Sequence, residues 1–192
     1  SGAFLTSEAD ENSFFGYYAG YHTDSGDCNT FIGNYTGGAN TGGTNNTFIG
    51  YYTGEANTTG GNNTYMGCLA GIANTTGQSN TFMGSFAGRY NTGSWNTFMG
   101  YQAGYFNTSG YNNTFMGNNA GEANTTGYSN TSIGYKAGNH NTTGNANTFL
   151  GSYAGGLNTT GSSNTFLGNS SGFNTTGNQN VFLGSYAGYN ET

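Results

Sequence analysis

A five-residue phrase, Asn-Thr-Phe-aliphatic-Gly, recurs eleven times along this chain, and that periodicity constrains the fold more than any other feature. Its first residue falls at Asn12, Asn29, Asn46, Asn63, Asn80, Asn96, Asn113, Asn130, Asn147, Asn164 and Asn180; eight of the steps are 17 residues and two are 16. The whole unit reads N-T-F-h-G-x-x-A-G-x-x-N-T-T-G-x-x, with its first Asn as position 1. One unit this short cannot bury its own apolar face, whereas stacked units can. Eleven repeats therefore make one architecture, not eleven domains.

The content of the unit selects extended chain. Thr, Phe, Ile and Tyr favour strands, and a Gly every four to seven residues excludes helices of useful length. Each copy has room for two or three strands of three to five residues. The expected fold is all-β, a parallel β-solenoid (β-roll or β-helix) of about eleven coils, with in-register stacking at roughly 4.8 Å and a rod about 50 Å long. The glycines at positions 5 and 9 mark corners that need positive φ. The small residue at position 8 reads as an inward side chain in a narrow core, and the position-1 asparagines are expected to stack amide on amide. Residues 1–11 read as a degenerate N-terminal rung or cap, and residues 12–192 as the solenoid, its last coil incomplete.

Side chains alternate along a strand, so positions 2 and 4 share one face and position 3 takes the other. Position 3 carries Phe14, Phe31, Phe48, Tyr65, Phe82, Phe98, Phe115, Ser132, Phe149, Phe166 and Phe182, and position 4 is apolar throughout, for example Ile32, Met83 and Leu150. Only one ladder can line the interior, so the other emerges as an apolar stripe that something must cover. We expect Thr and the aliphatic ladder inside, since Val181 replaces Thr without disturbing the repeat. The aromatic ladder, Phe14 through Phe182 without Ser132, then serves as a self-association stripe. In the alternative, Phe fills a flattened core and Thr with Ile, Leu or Met faces outward, which still leaves an aliphatic stripe to bury.

Asn113-Thr114-Phe115-Met116-Gly117 and its ten relatives resemble the repeats of trimeric autotransporter adhesin heads and phage-type fibre proteins. Those carry phrases such as Asn-Ser-Val-Ala-Ile-Gly on parallel β-rolls packed three chains together. The adhesin-head unit is shorter, has Ala where Phe115 stands and lacks the Asn-Thr-Thr-Gly arm. The resemblance implies a fibrous, extracellular or cell-surface protein.

Composition narrows the partners. Two cationic residues, Arg89 and Lys136, stand against eight acids. No basic surface exists to track a phosphate backbone or an anionic membrane, and no apolar run approaches the 18 or so residues of a membrane span. We expect no nucleic-acid partner, no membrane insertion, no cofactor and no metal; Glu8, Asp10, Glu11, Asp24 and Asp27 read as a solvated cap in preference to a calcium site. His22 and His140 share no nucleophile or acid at a repeated offset, so catalysis is not expected. Cys28 and Cys68 lie more than two coils apart, too far for a disulfide within the chain. The Asn-Thr-Thr arm supplies candidate glycosylation sites at Asn57, Asn74, Asn124, Asn141, Asn158 and Asn174, matches that such a repeat produces automatically.

The expected function is that of a non-enzymatic extracellular structural protein, a rod that associates with itself laterally, end to end or both, into a fibre, filament or surface appendage. The end-to-end contact would join Phe4, Leu5, Glu8, Asp10 and Glu11 of one copy to Tyr186, Tyr189 and Glu191 of the next. Two other classes remain open. One is an adhesin or phage-fibre shaft that binds surface glycans, with Tyr17, Tyr51, Tyr101 and Tyr135 stacking on sugars. The other is an ice-binding protein, suggested by the Thr ladders of the arm.

Overall fold

A computed structural model describes residues 10–191. Each repeat contributes one three-residue strand: β1 (Ser13–Phe15), β2 (Thr30–Ile32), β3 (Thr47–Ile49), β4 (Thr64–Met66), β5 (Thr81–Met83), β6 (Thr97–Met99), β7 (Thr114–Met116), β8 (Thr131–Ile133), β9 (Thr148–Leu150), β10 (Thr165–Leu167) and β11 (Val181–Leu183). They form a single parallel sheet in sequential order. The same repeat position pairs with itself throughout, as in Thr47↔Thr64, Phe48↔Tyr65 and Ile49↔Met66. The chain is an all-β solenoid.

The expectation of two or three strands per coil does not hold, because the rest of each coil turns too often. Non-glycine residues at positions 7 and 17 adopt φ between 52° and 62°, as at Tyr52 and Asn62. An L-residue in this region costs roughly 1–2 kcal/mol. Contacts between coils hold it there: the Tyr35 amide donates to Tyr17 O at 2.8 Å, and the Asn45 amide to Asp27 O at 3.0 Å. Position 5 is stricter. Gly84 has φ +139°, and a Cβ there would lie 2.5 Å from the carbonyl oxygen of Gly100 in the next coil. Only a residue without a side chain lets the coils approach so closely.

The core corrects the preferred orientation of the strand. Phe31, Phe48, Tyr65, Phe82, Phe98, Phe115, Phe149 and Phe166 are buried, while Phe14 and Phe182 are half-buried at the two ends. Neighbouring rings stack at centroid separations such as 4.9 Å for Phe82 and Phe98, with planes 6° apart. The Phe ladder is therefore the interior, and it is unavailable as a self-association stripe. The physical reason is shape. Each ring lies against the glycine at position 9 of its own coil, so that a Cβ on Gly88 would come within 2.6 Å of the Phe82 ring. A flat ring over a bare backbone fills a narrow coil, and its neighbours continue the stack. The small residues at position 8, Ala70, Ala87 and Ala103 among them, are buried as expected. At Ser132 the aromatic column is interrupted, and the core divides into two clusters.

Two buried asparagine ladders close the coil. At position 1, the Asn46 amide N–H donates to Asn29 Oδ1 at 3.0 Å and Asn46 Nδ2 to Gly60 O at 2.8 Å. That ladder is stitched mainly to backbone. Side-chain amides also bond to one another there, as expected, where Asn130 Nδ2 donates to Asn113 Oδ1 at 3.2 Å and Asn147 Nδ2 to Asn130 Oδ1 at 3.1 Å, and likewise at position 12, where Asn57 Nδ2 donates to Asn40 Oδ1 at 2.7 Å and to Gly60 O at 3.1 Å. Buried amides satisfied in this way fix the register, since any slip leaves them unpaired.

Candidate functional site: the outer sheet face and its flanks

With Phe inside, the alternation of the strand sends positions 2 and 4 outward. The Thr side chains are half-buried along most of the sheet and exposed at Thr148 and Thr165. The apolar row beside them is partly open: Ile49, Met99, Met116 and Ile133 are half-buried, Ile32, Met66, Met83, Leu150 and Leu167 are exposed, and the ends, Phe15 and Leu183, are the most open. Next to that row, at position 6, stand the exposed Tyr17, Tyr51, Tyr101 and Tyr135. The outer face thus carries two rows, one mostly of Thr hydroxyls with methyls and one of apolar side chains, bordered by a phenol in four of the coils.

The flank at positions 7, 10 and 11 is different, because it varies from coil to coil. Both cations of the chain lie here against aromatic rings. The Arg89 guanidinium carbon sits 5.3 Å from the Phe86 centroid, 5.4 Å from Tyr90 and 5.7 Å from Tyr105, and its Nη1 donates to Tyr105 Oη at 3.3 Å. Lys136 Nζ lies 5.5 Å from Tyr135 and 5.9 Å from Tyr153. These separations fall within cation–π range.

The arm is not a free Thr array. Thr58 Oγ1 donates to Thr75 O at 3.0 Å and Thr108 Oγ1 to Thr125 O at 3.0 Å, so these hydroxyls stitch coil to coil. Among the candidate glycosylation sites, Asn57, Asn74, Asn124, Asn141 and Asn158 are buried. Their side-chain amides belong to the inner ladder, and a glycan on Nδ2 has no room in the folded coil. Asn174 is exposed, because the short repeat from Asn164 places Thr175 in the buried slot instead.

Tyr65 perturbs this ladder locally. Its hydroxyl accepts a hydrogen bond from Asn74 Nδ2 at 2.5 Å, and Asn74 Oδ1 accepts from the Gly77 amide at 2.7 Å. Asn74 is thereby turned away from its neighbour, and Asn57 Oδ1 takes no hydrogen bond. Burial pushes the Tyr65 phenol well above its ordinary pKa.

Of the proposed end-to-end residues, Phe4, Leu5 and Glu8 lie outside the described residues. Asp10 and Glu11 pair with the following coil: the Asp10 amide donates to Asp27 Oδ1 at 2.8 Å, and Cys28 Sγ donates to Glu11 Oε2 at 3.2 Å. That hydrogen bond is the main cause raising the Cys28 pKa, with desolvation and the Glu11 and Asp27 charges adding to it. At the other end Tyr186, Tyr189 and Glu191 are exposed, and Tyr189 stacks on Phe173 with centroids 5.1 Å apart. Cys28 and Cys68 are free and exposed. Among the described residues no three His, Cys, Asp or Glu side chains gather as metal ligands, and no helix is long and apolar enough to cross a membrane.

Sequence reasoning missed the display flank. The signal was present, since position 10 runs Tyr21, Gly38, Glu55, Ile72, Arg89, Tyr105, Glu122 and so on beside a position 9 that is Gly in every coil. No known protein family matches the chain, nor does any curated protein or solved structure.

Proposed function

We propose that this chain is a non-enzymatic structural rod that packs side by side with copies of itself through the outer face of its sheet, building a fibre or surface appendage. The observation that carries the reading is the unbroken, partly exposed apolar row running from Phe15 to Leu183 along one face. A three-residue strand is about 10 Å wide and the stack about 50 Å long, so the sheet face alone offers roughly 500 Å², within the ~300–600 Å² of the largest apolar patch on a soluble monomer, which is often a functional one. With the tyrosine border it approaches the ~800 Å² per partner of a stable interface. A row of knobs repeating at the strand spacing is matched along its length by a surface of the same period, and a second copy of the chain supplies one. The resemblance to adhesin heads and fibre shafts supports an extracellular or cell-surface setting for such a rod. End-to-end stacking would lengthen the same fibre.

The test replaces Met83, Met99 and Met116 with Lys. These side chains point outward, so the β-rich circular dichroism spectrum should persist while the mass in light scattering falls to that of a monomer. A wild-type protein that is monomeric at micromolar concentration refutes the reading.

A second reading has its own observation. The Thr hydroxyls of the sheet form a regular outward row, unlike those of the arm, which are engaged with backbone. Such an array suits ice binding. Thermal hysteresis by a monomeric wild type, lost in a Thr81→Lys, Thr97→Lys variant, would favour it over self-association.

A further inference from the structure

The flank of the rod holds a cavity of about 320 Å³ at the second coil, lined by Tyr18, Tyr21, His22, Tyr35, Ala39 and Glu55 around Gly38. Its origin is specific. Position 10 is occupied by Tyr21 in the coil before and by Glu55 in the coil after, and Gly38 leaves the space between them unfilled. Almost every other glycine among the described residues is required by its backbone or by a close neighbour. Gly38 is not: it has no positive φ, and a Cβ there would meet nothing nearer than Tyr35 O at 3.6 Å and Glu55 Cγ at 3.8 Å. Folding gives no reason for a glycine here, and its effect is to keep the slot open.

The same slot three coils on shows what it accepts. There position 10 is Arg89, and its guanidinium lies among Phe86 at position 7, Tyr90 at position 11 and Tyr105 at position 10 of the next coil. At the second coil Tyr35 replaces Phe86 at position 7, Tyr18 and Tyr21 add aromatic walls from the first coil, and Glu55 stands where Tyr105 would be. Tyr18 and Tyr35 stack with centroids 5.2 Å apart, and Tyr21 packs edge-on against Tyr18 at 4.5 Å, so the walls support one another. Of the three rings around Arg89 only that at position 7 is kept, with Ala39 in place of Tyr90; Tyr18 and Tyr21 supply the remaining aromatic surface, the internal cation is absent, and a carboxylate is added at the rim.

We propose that this slot binds a guanidinium group from outside the chain, either a free guanidino compound or an arginine side chain of a polypeptide. Aromatic walls with one carboxylate suit a weakly hydrated planar cation, which loses little solvation on entry and pairs with Glu55. The wider field agrees in sign. Six of the eight acids, Glu8, Asp10, Glu11, Asp24, Asp27 and Glu55, lie in the first 55 residues, and no Lys or Arg precedes Arg89. Cations are drawn to this end of the rod.

The experiment titrates the full chain, by calorimetry, with methylguanidinium and with N-methylurea, its neutral isostere of similar shape. Saturable millimolar binding of the cation is expected, with the urea weaker by about tenfold. Acetyl-arginine amide binding more tightly than methylguanidinium would identify the source as a polypeptide arginine, and the reverse a small compound. Glu55→Gln should weaken the cation and leave the urea unchanged. Gly38→Arg should abolish binding by filling the slot in cis, and the open space around Gly38 lets that variant fold, as circular dichroism will verify. Equal affinity for cation and urea, binding retained in folded Gly38→Arg, or no saturation by the cation overturns the proposal. Preferential binding of a neutral sugar overturns it as well.

Discussion

Ser132 offers a direct measurement of what the aromatic column contributes. It sits between Phe115 and Phe149 in the register of the sheet, and rings two coils apart are separated by about 10 Å, room for one more ring. Replacing it with Phe buries one side chain, a gain of about 1.5–3 kcal/mol, and creates two ring contacts of about 0.5–1.5 kcal/mol each. Against this stand about 0.5–1 kcal/mol of rotamer entropy and the displacement of Phe149, whose ring leans so close to Gly138 that a Cβ there would lie 2.8 Å from it. The net expectation for Ser132→Phe is a stabilisation of about 2–4 kcal/mol, which for a chain of this size raises Tm by roughly 5–15 °C. The mirror change, Phe98→Ser, should cost about 3–5 kcal/mol. Hydrogen exchange adds a qualitative readout. Coils on either side of residue 132 should exchange as two blocks in the wild type, where the core is divided, and as one in the variant, because coupling between repeats runs through their interfaces. An unchanged or lowered Tm in Ser132→Phe would refute the view that stacked rings hold adjacent coils together.

Gly84→Ala should destabilise by about 3 kcal/mol or more in urea unfolding, since it combines positive φ with a clash against Gly100 O, whereas Gly42→Ala, where a Cβ meets nothing closer than 3.4 Å, should stay within about 0.5 kcal/mol. Tyr65→Phe removes the hydroxyl that captures Asn74, so the amide can return to Asn57 Oδ1; the change should be neutral or stabilising by up to about 1 kcal/mol, and a loss beyond that would show that the hydroxyl is itself a needed acceptor. Cys28 has a raised pKa and so a smaller thiolate fraction at a given pH below it; Glu11→Gln should accelerate its alkylation near neutral pH, with the difference closing once the solution is alkaline enough to ionise the thiol in both proteins.

The repeat, the parallel stacking and the corner glycines were legible because each follows from composition at a fixed period. The facing of the strand was not, since Thr-Phe-Ile is apolar on both sides and hydrophobicity alone cannot rank a ring above a methyl. A signal existed within the chain. Position 3 keeps Phe in nine of eleven copies, while position 4 wanders among Phe, Ile, Met and Leu. A ladder held to one shape is one whose members stack on one another, and a ladder content with any apolar shape meets less demanding surroundings. The left-handed residues at positions 7 and 17 gave little warning, Asn45, Asn62, Asn112 and Asn119 apart. Tyr, Leu, Phe and Lys at position 7 have no intrinsic preference for positive φ, and what holds them there is hydrogen bonding to the preceding coil, a tertiary cause that no local window contains. The burial of the arm's asparagines was not legible for a related reason: the motif that admits a glycan is also the one that builds an amide ladder.

The solenoid separates what must repeat from what is free to vary, and that separation makes the guanidinium slot testable at a second place. Ring, glycine and amide positions repeat because each is packed against its own copy one coil away. Position 10 is packed against nothing constant, so each coil presents a different side chain over the same backbone. If the slot at Gly38 is set by that geometry, emptying the occupied one should create another. Arg89→Gly removes the internal guanidinium and leaves Phe86, Tyr90 and Tyr105 as walls. The variant should lose stability, because three ring contacts and the hydrogen bond to Tyr105 go with the side chain, and added methylguanidinium should restore part of it. Rescue is expected to follow the logarithm of ligand concentration once the site fills, with N-methylurea ineffective at equal concentration. The Gly38→Arg change placed in the same chain removes the first slot, so any rescue then reports on the second alone. Rescue by the neutral urea as well as by the cation would mean that volume and not charge is what the rings recognise.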